Sequence, residues 1–401
     1  MSSGNVPFYI YGGFPHVTEL LACPEVRRSM PFAEPMGQFF AEVHAALQLE
    51  RHPWRVYDPE RASLFYVPLL AKLSSVARSC ALPSDGGQPS SHRDRMLAAA
   101  SALSSSPWLA RRNGSDHFFV CTAIEMRPLL GKVWRILRGH EVMHAVHYVP
   151  RGAASPARCQ LQVPYLTHSH AASRSALASP FDHLPRDWLA HFRGRASSKV
   201  RSALARRYGR DKRYRIVFTE YWTTAGCNVR KCWPDRIVDR RSRLRVNETN
   251  FDWVAMADEM ARSTFCLIPP SEGPESSRLY LAVMAACIPV LVSDDFVGAF
   301  PHVLPWSSFT VRVAEADVLS KSFNLTSHLL SIANDERRLG SMQWALRAHA
   351  PDVLWHTPGS RVASHMLRLA ALAHTGGFCG SRPTATAAQQ TARSHGIWWR
   401  D

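Results

Sequence analysis

The sequence predicts an α/β fold with parallel sheets in two domains, and two observations support this. The chain has 401 residues, of which 46% are hydrophobic, enough for two domains that each bury a core. Between residues 253 and 295, apolar residues at helical spacing precede a short apolar run, a polar loop, a second helical stretch and a run of Ile and Val. Helices that alternate with buried strands require a parallel sheet covered on both faces.

The elements of this stretch follow from its residue types. Residues 253–261 have helical spacing, and the apolar run 265–268 reads as a buried strand. The loop PPSEGPESS at 269–277 ends that strand because proline and glycine interrupt pairing. Ser276 and Ser277 can cap a helix predicted for residues 278–286, and the second strand covers residues 288–293.

The first half of the chain also contains strand and helix patterns. Residues 8–11 and 64–67 predict strands, and residues 35–49 predict an amphipathic helix. Residues 168–185 read as a linker. We therefore expect one domain over residues 1–175, a second over residues 186–375 and a disordered tail of low complexity over residues 376–401.

The loop at 269–277 is a candidate binding site. Ligands of parallel α/β sheets bind at the carboxyl ends of the strands, which is where this loop lies. The N-terminus of the next helix offers free N–H groups and partial positive charge, and Ser271, Ser276, Ser277 and Arg278 accompany it. This combination is suited to a diphosphate. A capped surface loop is the alternative, since no glycine-rich phosphate fingerprint is present.

The chain is basic, with 48 Lys and Arg against 32 Asp and Glu and a net charge of +16. The excess is densest between residues 186 and 245. No RNA- or DNA-binding motif accompanies it, so we do not expect a nucleic-acid partner. A basic surface also suits nucleotide diphosphates and acidic glycans.

Nine cysteines are scattered without a CxxC motif, which argues against a zinc ribbon or a redox site. Cys227 and Cys232 are close enough to pair. Cys266 and Cys287 lie in apolar strand contexts, where free buried thiols are common. Three sequons, at residues 113–115, 247–249 and 324–326, permit glycosylation in a secretory lumen.

Residues 140–144, HEVMH, match the string of helical zinc proteases. Gly139 breaks the preceding helix, however, and the β-branched and aromatic residues that follow favour a strand. On a strand, His140 and His144 would lie about 13 Å apart, too far to share one zinc ion. A zinc protease is therefore a remote alternative.

Residues 265–294 resemble the signature of exostosin-type glycosyltransferases. Segments resembling the same family occur in order at residues 58–68, 116–120, 192–195 and 306–318, so the resemblance spans roughly residues 8–355. The matching signature residues are Phe265, Cys266, Leu267, Pro269, Pro274, Ser276, Arg278, Leu279, Ala282, Cys287, Ile288, Pro289, Val290, Ser293 and Asp294.

The resemblance implies a GT-B type fold, with two Rossmann-like domains facing across a cleft. It implies an inverting hexosyl- or pentosyltransferase that moves a sugar from a nucleotide donor, a UDP-sugar, to a hydroxyl of a glycan or glycoprotein acceptor. The first domain would bind the acceptor and the second the donor, with no metal or other cofactor. The expected location is the Golgi lumen, at the membrane through an anchor that this chain does not show.

The resemblance also implies site residues. Arg278 would neutralise the leaving diphosphate at the helix N-terminus. The donor-binding candidates are Arg193, Gly194, Arg195, Ser271, Ser276, Ser277 and Arg278, and the catalytic candidates are Asp116, His117, Glu272 and Glu275.

Two positions depart from the family pattern. The carboxylate that the family places three residues after the arginine is Leu281 here, and the glycine before Cys-Ile-Pro is Ala286. In the family that carboxylate usually holds the ribose hydroxyls of the donor. A degenerate member that binds glycans without transferring sugar is therefore the main alternative.

Overall fold

The computed structural model describes residues 4–23, 40–77, 91–123, 126–147, 160–167, 186–195, 197–218, 253–271, 273–301 and 303–376. These residues form two five-stranded sheets, and every strand pair in both sheets is parallel. The prediction of two parallel α/β domains is confirmed. Among the helices so described, none combines the length and the apolar character needed to cross a bilayer.

The first sheet keeps its strands in chain order, β1-β2-β3-β4-β5. Successive side chains point to opposite faces, so Phe65 and Phe119 pack in one hydrophobic cluster and Tyr66 and Phe118 in the other. The strands are β1 (Phe8–Ile10), β2 (Leu64–Tyr66), β3 (His117–Val120), β4 (Met143–Val146) and β5 (Gln160–Gln162). The helices are α1 (Pro15–Ala22), α2 (Ala41–Glu50), α3 (Ala71–Val76), α4 (His92–Ser104), α5 (Pro107–Arg111), α6 (Met126–Leu130) and α7 (Lys132–Arg138).

The second sheet has the order β10-β9-β8-β6-β7. Its strands are β6 (Trp188–Gly194), β7 (Tyr214–Phe218), β8 (Ser263–Ile268), β9 (Ile288–Leu291) and β10 (Val311–Arg312). The chain leaves β6 toward β7 on one side and later returns to place β8 on the other side. This reversal creates a crevice at the carboxyl ends of β6 and β8, the usual ligand position in such sheets.

The described helices of the second half include the two that were predicted, over residues 253–261 and 278–286. They are α8 (Lys199–Tyr208), α9 (Trp253–Ala261), α10 (Ser277–Met284), α11 (Glu315–Leu319), α12 (Leu325–Ala333), α13 (Glu336–Val353) and α14 (Val362–Thr375). Helix α10 begins one residue earlier and ends two residues earlier than predicted. Its end is followed by Ala286, whose φ of 52° lies in the left-handed region that favours glycine.

The last helix, α14, returns to the first half of the chain and packs against α2, β2 and β5. His52 Nε2 and Ser364 Oγ are 2.9 Å apart, and the guanidinium of Arg368 lies 5.1 Å from the ring centre of Trp54. The domain predicted for residues 186–375 therefore ends in a helix that covers the other sheet. Local periodicity of the sequence cannot predict such a contact between a helix of one half and the sheet of the other.

The carboxyl edges of the two sheets meet at a seam. Gln162 is the last residue of β5, and its amide donates a 2.6 Å hydrogen bond to Glu275, in the loop that follows β8. Close by, Trp355 Nε1 donates to the carbonyl of Pro164 at 3.0 Å. The two halves thus face each other through the loops where parallel sheets bind their ligands.

A disulfide joins Cys266 in β8 to Cys287, which directly precedes β9, with the two α-carbons 5.7 Å apart. The expectation of free thiols at these positions is wrong, because β8 and β9 are hydrogen-bonded neighbours that bring the two side chains together. Cys121 is a free buried cysteine. The suggested pair of Cys227 and Cys232 lies outside the described residues.

Candidate functional site

The candidate site lies at the carboxyl ends of β6 and β8. Strand β6 ends at Gly194, and the loop after β8 runs to Ser276, the N-cap residue of α10. These segments flank the crevice at which the strand order reverses. The structure therefore brings together the two sequence segments that the donor-site prediction combined.

Arg278 lies beside the end of β6. Its Nε donates a 2.7 Å hydrogen bond to the carbonyl of Arg193, and its guanidinium lies 6.0 Å from the ring centre of Phe192. A Cβ added at Gly194 would lie 2.8 Å from Nη2 of Arg278, so the missing side chain of Gly194 makes room for the guanidinium. Burial and the neighbouring Arg195 lower the pKa of Arg278 to about 10, and the group remains charged at neutral pH.

Arg201, which the sequence analysis did not select, ties the two loops together. It is 1% exposed and donates to the carbonyl of Arg195 at 3.3 Å, to Ser197 Oγ at 3.1 Å and to the carbonyl of Pro269 at 3.3 Å. Its position in the first turn of α8, within a basic run, resembles that of a surface arginine. Only the proximity of the two loops shows that this arginine organises the site.

The serines contribute in different ways. Ser271 Oγ lies 3.3 Å from Ser197 Oγ, which adds a contact between the two loops. Ser277 is buried in the first turn of α10. Ser276 has the predicted N-cap position, but its side chain makes no capping hydrogen bond, so that part of the prediction is wrong. Its Oγ is buried and without a hydrogen-bond partner among the described residues, which makes it available to a ligand at the helix N-terminus.

Arg193 does not offer its side chain to the crevice. Its Nη2 lies 2.8 Å from Glu259 Oε2, and its Nε donates to the same oxygen at 3.0 Å. Along β6 the side chains alternate, so Arg193 points away from the face on which Phe192 meets Arg278. The expectation that the Arg193 guanidinium binds the donor is corrected: its carbonyl oxygen holds Arg278 instead.

Glu275 precedes Ser276 and is 3% exposed. Its Oε1 accepts from the Gln162 amide at 2.6 Å and its Oε2 from the Tyr280 hydroxyl at 3.0 Å. Burial raises the pKa of Glu275 to about 8, against these hydrogen bonds and one from the Gly298 backbone, which lower it. The other loop candidate, Glu272, lies outside the described residues.

Asp116 and His117 lie at the amino end of β3, and neither side chain is exposed. His117 Nδ1 donates to Asp116 Oδ1, and His117 Nε2 accepts from the hydroxyl of Tyr11. Each of these hydrogen bonds is 2.7 Å long. Arg111 Nη2 lies 3.5 Å from Asp116 Oδ2. The expectation that this pair lines the cleft is not met, because both side chains are fully buried and bond to protein groups.

Leu281 is 2% exposed and lies in the hydrophobic core. It belongs to the second turn of α10, in which every residue from 279 to 284 is buried. In this chain, therefore, the position that carries the family's carboxylate contributes to packing.

As predicted from the sequence, the HEVMH string does not form a helix. Helix α7 ends at Arg138, and residues 143–146 form strand β4. His144 is packed near Phe119, with ring centres 5.9 Å apart, and burial lowers its pKa to about 4. Across the described ranges, no three His, Cys, Asp or Glu side chains are grouped as a metal ion would require.

Comparisons with known proteins agree with the resemblance. The family model of the exostosin GT47 domain matches residues 4–328. A "Probable glucuronosyltransferase" of Oryza sativa subsp. japonica is 29% identical over 306 residues, which cover 70% of this chain and 61% of that protein. A "Probable glucuronoxylan glucuronosyltransferase" of Arabidopsis thaliana is 27% identical, over 79% of this chain and 69% of that protein. A "Probable beta-1,4-xylosyltransferase" of Arabidopsis thaliana is also 27% identical, over 72% of this chain and 64% of that protein.

The chain thus spans about three fifths to two thirds of the length of these relatives. Among solved structures, Anabaena Alr3699/HepE in complex with UDP and glucose is 12% identical, over 90% of this chain and 99% of that chain. Its TM-score is 0.37, too low to support any inference about ligands. The family model covers most of the sequence and includes both sheets, so the chain belongs to the exostosin GT47 family.

Proposed function

We propose that this protein transfers a sugar from a nucleotide donor, a UDP-sugar, to a hydroxyl of a glycan or glycoprotein. The observation that supports this most is the arrangement at the start of α10. There the Ser276 hydroxyl, for which the described part of the chain offers no hydrogen-bond partner, lies with the N-terminal N–H groups and the Arg278 guanidinium at the crevice of the second sheet. The names of the relatives favour a glucuronosyl or xylosyl donor.

In this proposal the acceptor hydroxyl attacks the anomeric carbon while the bond from that carbon to the diphosphate breaks. The departing diphosphate gains negative charge, which Arg278 and the N-terminus of α10 are placed to stabilise. Arg195 adds positive charge nearby. With this stabilisation supplied by the chain, we propose that no metal ion is needed.

The proton of the acceptor hydroxyl requires a base, for which Asp116, His117, Glu272 and Glu275 were the candidates. Asp116 and His117 are fully buried. Both oxygens of Glu275 accept hydrogen bonds from protein groups, and the side chain is buried. These contacts are typical of a carboxyl group that holds the loop before α10 in place, and they leave neither oxygen open to an acceptor. Glu272 therefore remains the candidate base in this proposal.

The first half is proposed to bind the acceptor. A cavity of about 620 Å³ opens at the carboxyl ends of β1 and β2, between α1 and α2. Tyr11, Phe14 and Tyr66 provide aromatic surface, and Arg51 and Arg55 provide positive charge. Aromatic surface with a few polar groups is typical of a small-molecule or glycan site.

We also propose a location in the Golgi lumen. The buried disulfide between Cys266 and Cys287 supports an oxidising compartment, in which such bonds persist. The sequon at residues 113–115 begins at an exposed asparagine in a turn.

Isothermal titration of the full chain with UDP tests the proposal. We expect binding by the wild type, at least tenfold weaker binding by Arg278→Ala, and unchanged binding by Arg93→Ala, an exposed arginine on α4. Absence of UDP binding by the folded wild type would instead favour the glycan-binding, non-transferring alternative suggested by Leu281.

A further inference from the structure

A residue of the acceptor-side half is attached to the donor loop. Gln162 is the last residue of β5 in the first sheet, and its Nε2 donates to Oε1 of Glu275 over 2.6 Å. The two residues are 113 positions apart in the sequence. Glu275 is followed directly by Ser276 and by α10, whose N-terminus is the proposed diphosphate site.

The surroundings of Glu275 make its position sensitive to this bond. Its other oxygen is held by the Tyr280 hydroxyl on α10, and the Gly298 backbone N–H also reaches the carboxyl group. The Tyr280 ring in turn lies 6.1 Å from the ring of Tyr165, which follows β5. Tyr280 and Gly298 belong to the second half of the chain, whereas Gln162 belongs to the first half.

We propose that Gln162 is a positioning residue of the donor site, which it serves from the opposite half of the molecule. By fixing Glu275, it sets where Ser276, Ser277 and Arg278 present their donors to the diphosphate. This inference rests on the proposed function. It assigns a role in donor binding to a glutamine on the acceptor-side sheet, far from the family signature in sequence.

Loss of the Gln162 amide has a defined physical consequence. Oε1 of Glu275 would lose its donor in a place that is 3% exposed, where water cannot readily replace it. The carboxyl group would then shift, and the first turn of α10 would shift with it. Since ligand contacts depend on placement within about 1 Å, we expect roughly tenfold weaker UDP binding.

Isothermal titration with UDP on the full chain tests this with a matched pair of variants. Gln162→Ala removes the amide that reaches Glu275. Gln160→Ala removes the same side chain two residues earlier on β5, where the Oε1 atom has no hydrogen-bond partner among the described residues. We expect Gln162→Ala to raise the Kd about tenfold and Gln160→Ala to change it less than twofold.

The outcomes separate the inference from the proposed function. Equal UDP affinity of Gln162→Ala and Gln160→Ala would overturn the inference and leave the donor site intact. Failure of the wild type to bind UDP would overturn the donor site itself and the inference with it.

A second experiment tests whether the contact is direct. In the double variant Gln162→Glu with Glu275→Gln, the amide and the carboxyl group exchange positions, and a hydrogen bond of reversed direction can form. We expect this variant to bind UDP within about threefold of the wild type, while Gln162→Ala stays about tenfold weaker. An exchange variant that is folded by thermal unfolding but no better than Gln162→Ala would overturn the direct contact.

Discussion

The guanidinium of Arg278 lies so close to the α-carbon of Gly194 that any side chain at that position would meet it. A Cβ at residue 194 would be 2.8 Å from Nη2 and 3.1 Å from Cζ of Arg278. The end of β6 therefore has to lack a side chain for the arginine at the start of α10 to reach the carbonyl of Arg193.

We predict that Gly194→Ala weakens UDP binding about tenfold or more, because the guanidinium must leave its present position. The free energy of unfolding should change by less than about 1 kcal/mol, since the displaced atoms are the end of a flexible side chain. Titration calorimetry and urea unfolding measure the two effects. Gly340→Ala on α13 is the control, because nothing lies within 4 Å of its added Cβ. Equal UDP affinity of Gly194→Ala and wild type would contradict the prediction.

The buried carboxyl group of Glu275 predicts a specific pH dependence of stability. Its ordinary pKa is 4.5, and burial raises it to about 8 in the folded protein. Between these values the unfolded chain has released the proton and the folded chain still binds it. The protonated carboxyl group therefore makes its full contribution to the free energy of unfolding below pH 4.5. This contribution is lost as the pH rises to 8, by at most about 1.4 kcal/mol per pH unit.

Glu275→Gln should remove this contribution. Urea unfolding at pH 5, 6, 7 and 8 would then show that the free energy of unfolding of the wild type falls, relative to that of Glu275→Gln, as the pH rises. Glu42 has the same sign, because burial raises its pKa to about 7, and it contributes equally to both proteins. Parallel stability curves of wild type and Glu275→Gln would show that the carboxyl group does not titrate in this way.

The disulfide between β8 and β9 should contribute to stability. It closes a segment of 21 residues, and a crosslink of this span is worth about 3 kcal/mol in the chain-entropy description. We expect the double variant Cys266→Ser with Cys287→Ser to lose roughly that free energy of unfolding in urea. Treatment of the variant with reductant should cause no further loss at this site, in contrast to the wild type.

Ala286 occupies a backbone conformation that suits glycine, with φ of 52°. A left-handed alanine costs about 1–2 kcal/mol, and the greater freedom of glycine in the unfolded chain offsets part of the gain. Ala286→Gly should therefore stabilise the protein by about 0.5–1 kcal/mol in urea unfolding. A decrease in stability would show that the alanine methyl group has packing contacts of greater value.

The proposed donor site uses protein groups to balance the diphosphate charge, so UDP binding should not require a divalent metal ion. We expect the UDP Kd of chain dialysed against EDTA to agree within about twofold with that of the same chain after Mg²⁺ or Mn²⁺ is restored. A loss of affinity on chelation that metal restores would contradict the metal-free proposal.

The sequence by itself determined the fold class and singled out the loop that carries the proposed donor site. Helical spacing around residues 253–261, the apolar runs of β8 and β9 and the intervening loop are local patterns, and local patterns specify parallel α/β units. The same reasoning located Arg278 and Ser276 at a helix N-terminus.

Only the tertiary structure decided what each side chain does there. Strand alternation and the packing of α9 directed Arg193 to Glu259, and the neighbouring strands joined Cys266 to Cys287. The contact between Gln162 and Glu275 depends on how the two halves meet. Periodicity carries information over a few residues, whereas these contacts join residues 21 to 113 positions apart and arise only when strand order and packing of the two halves are set.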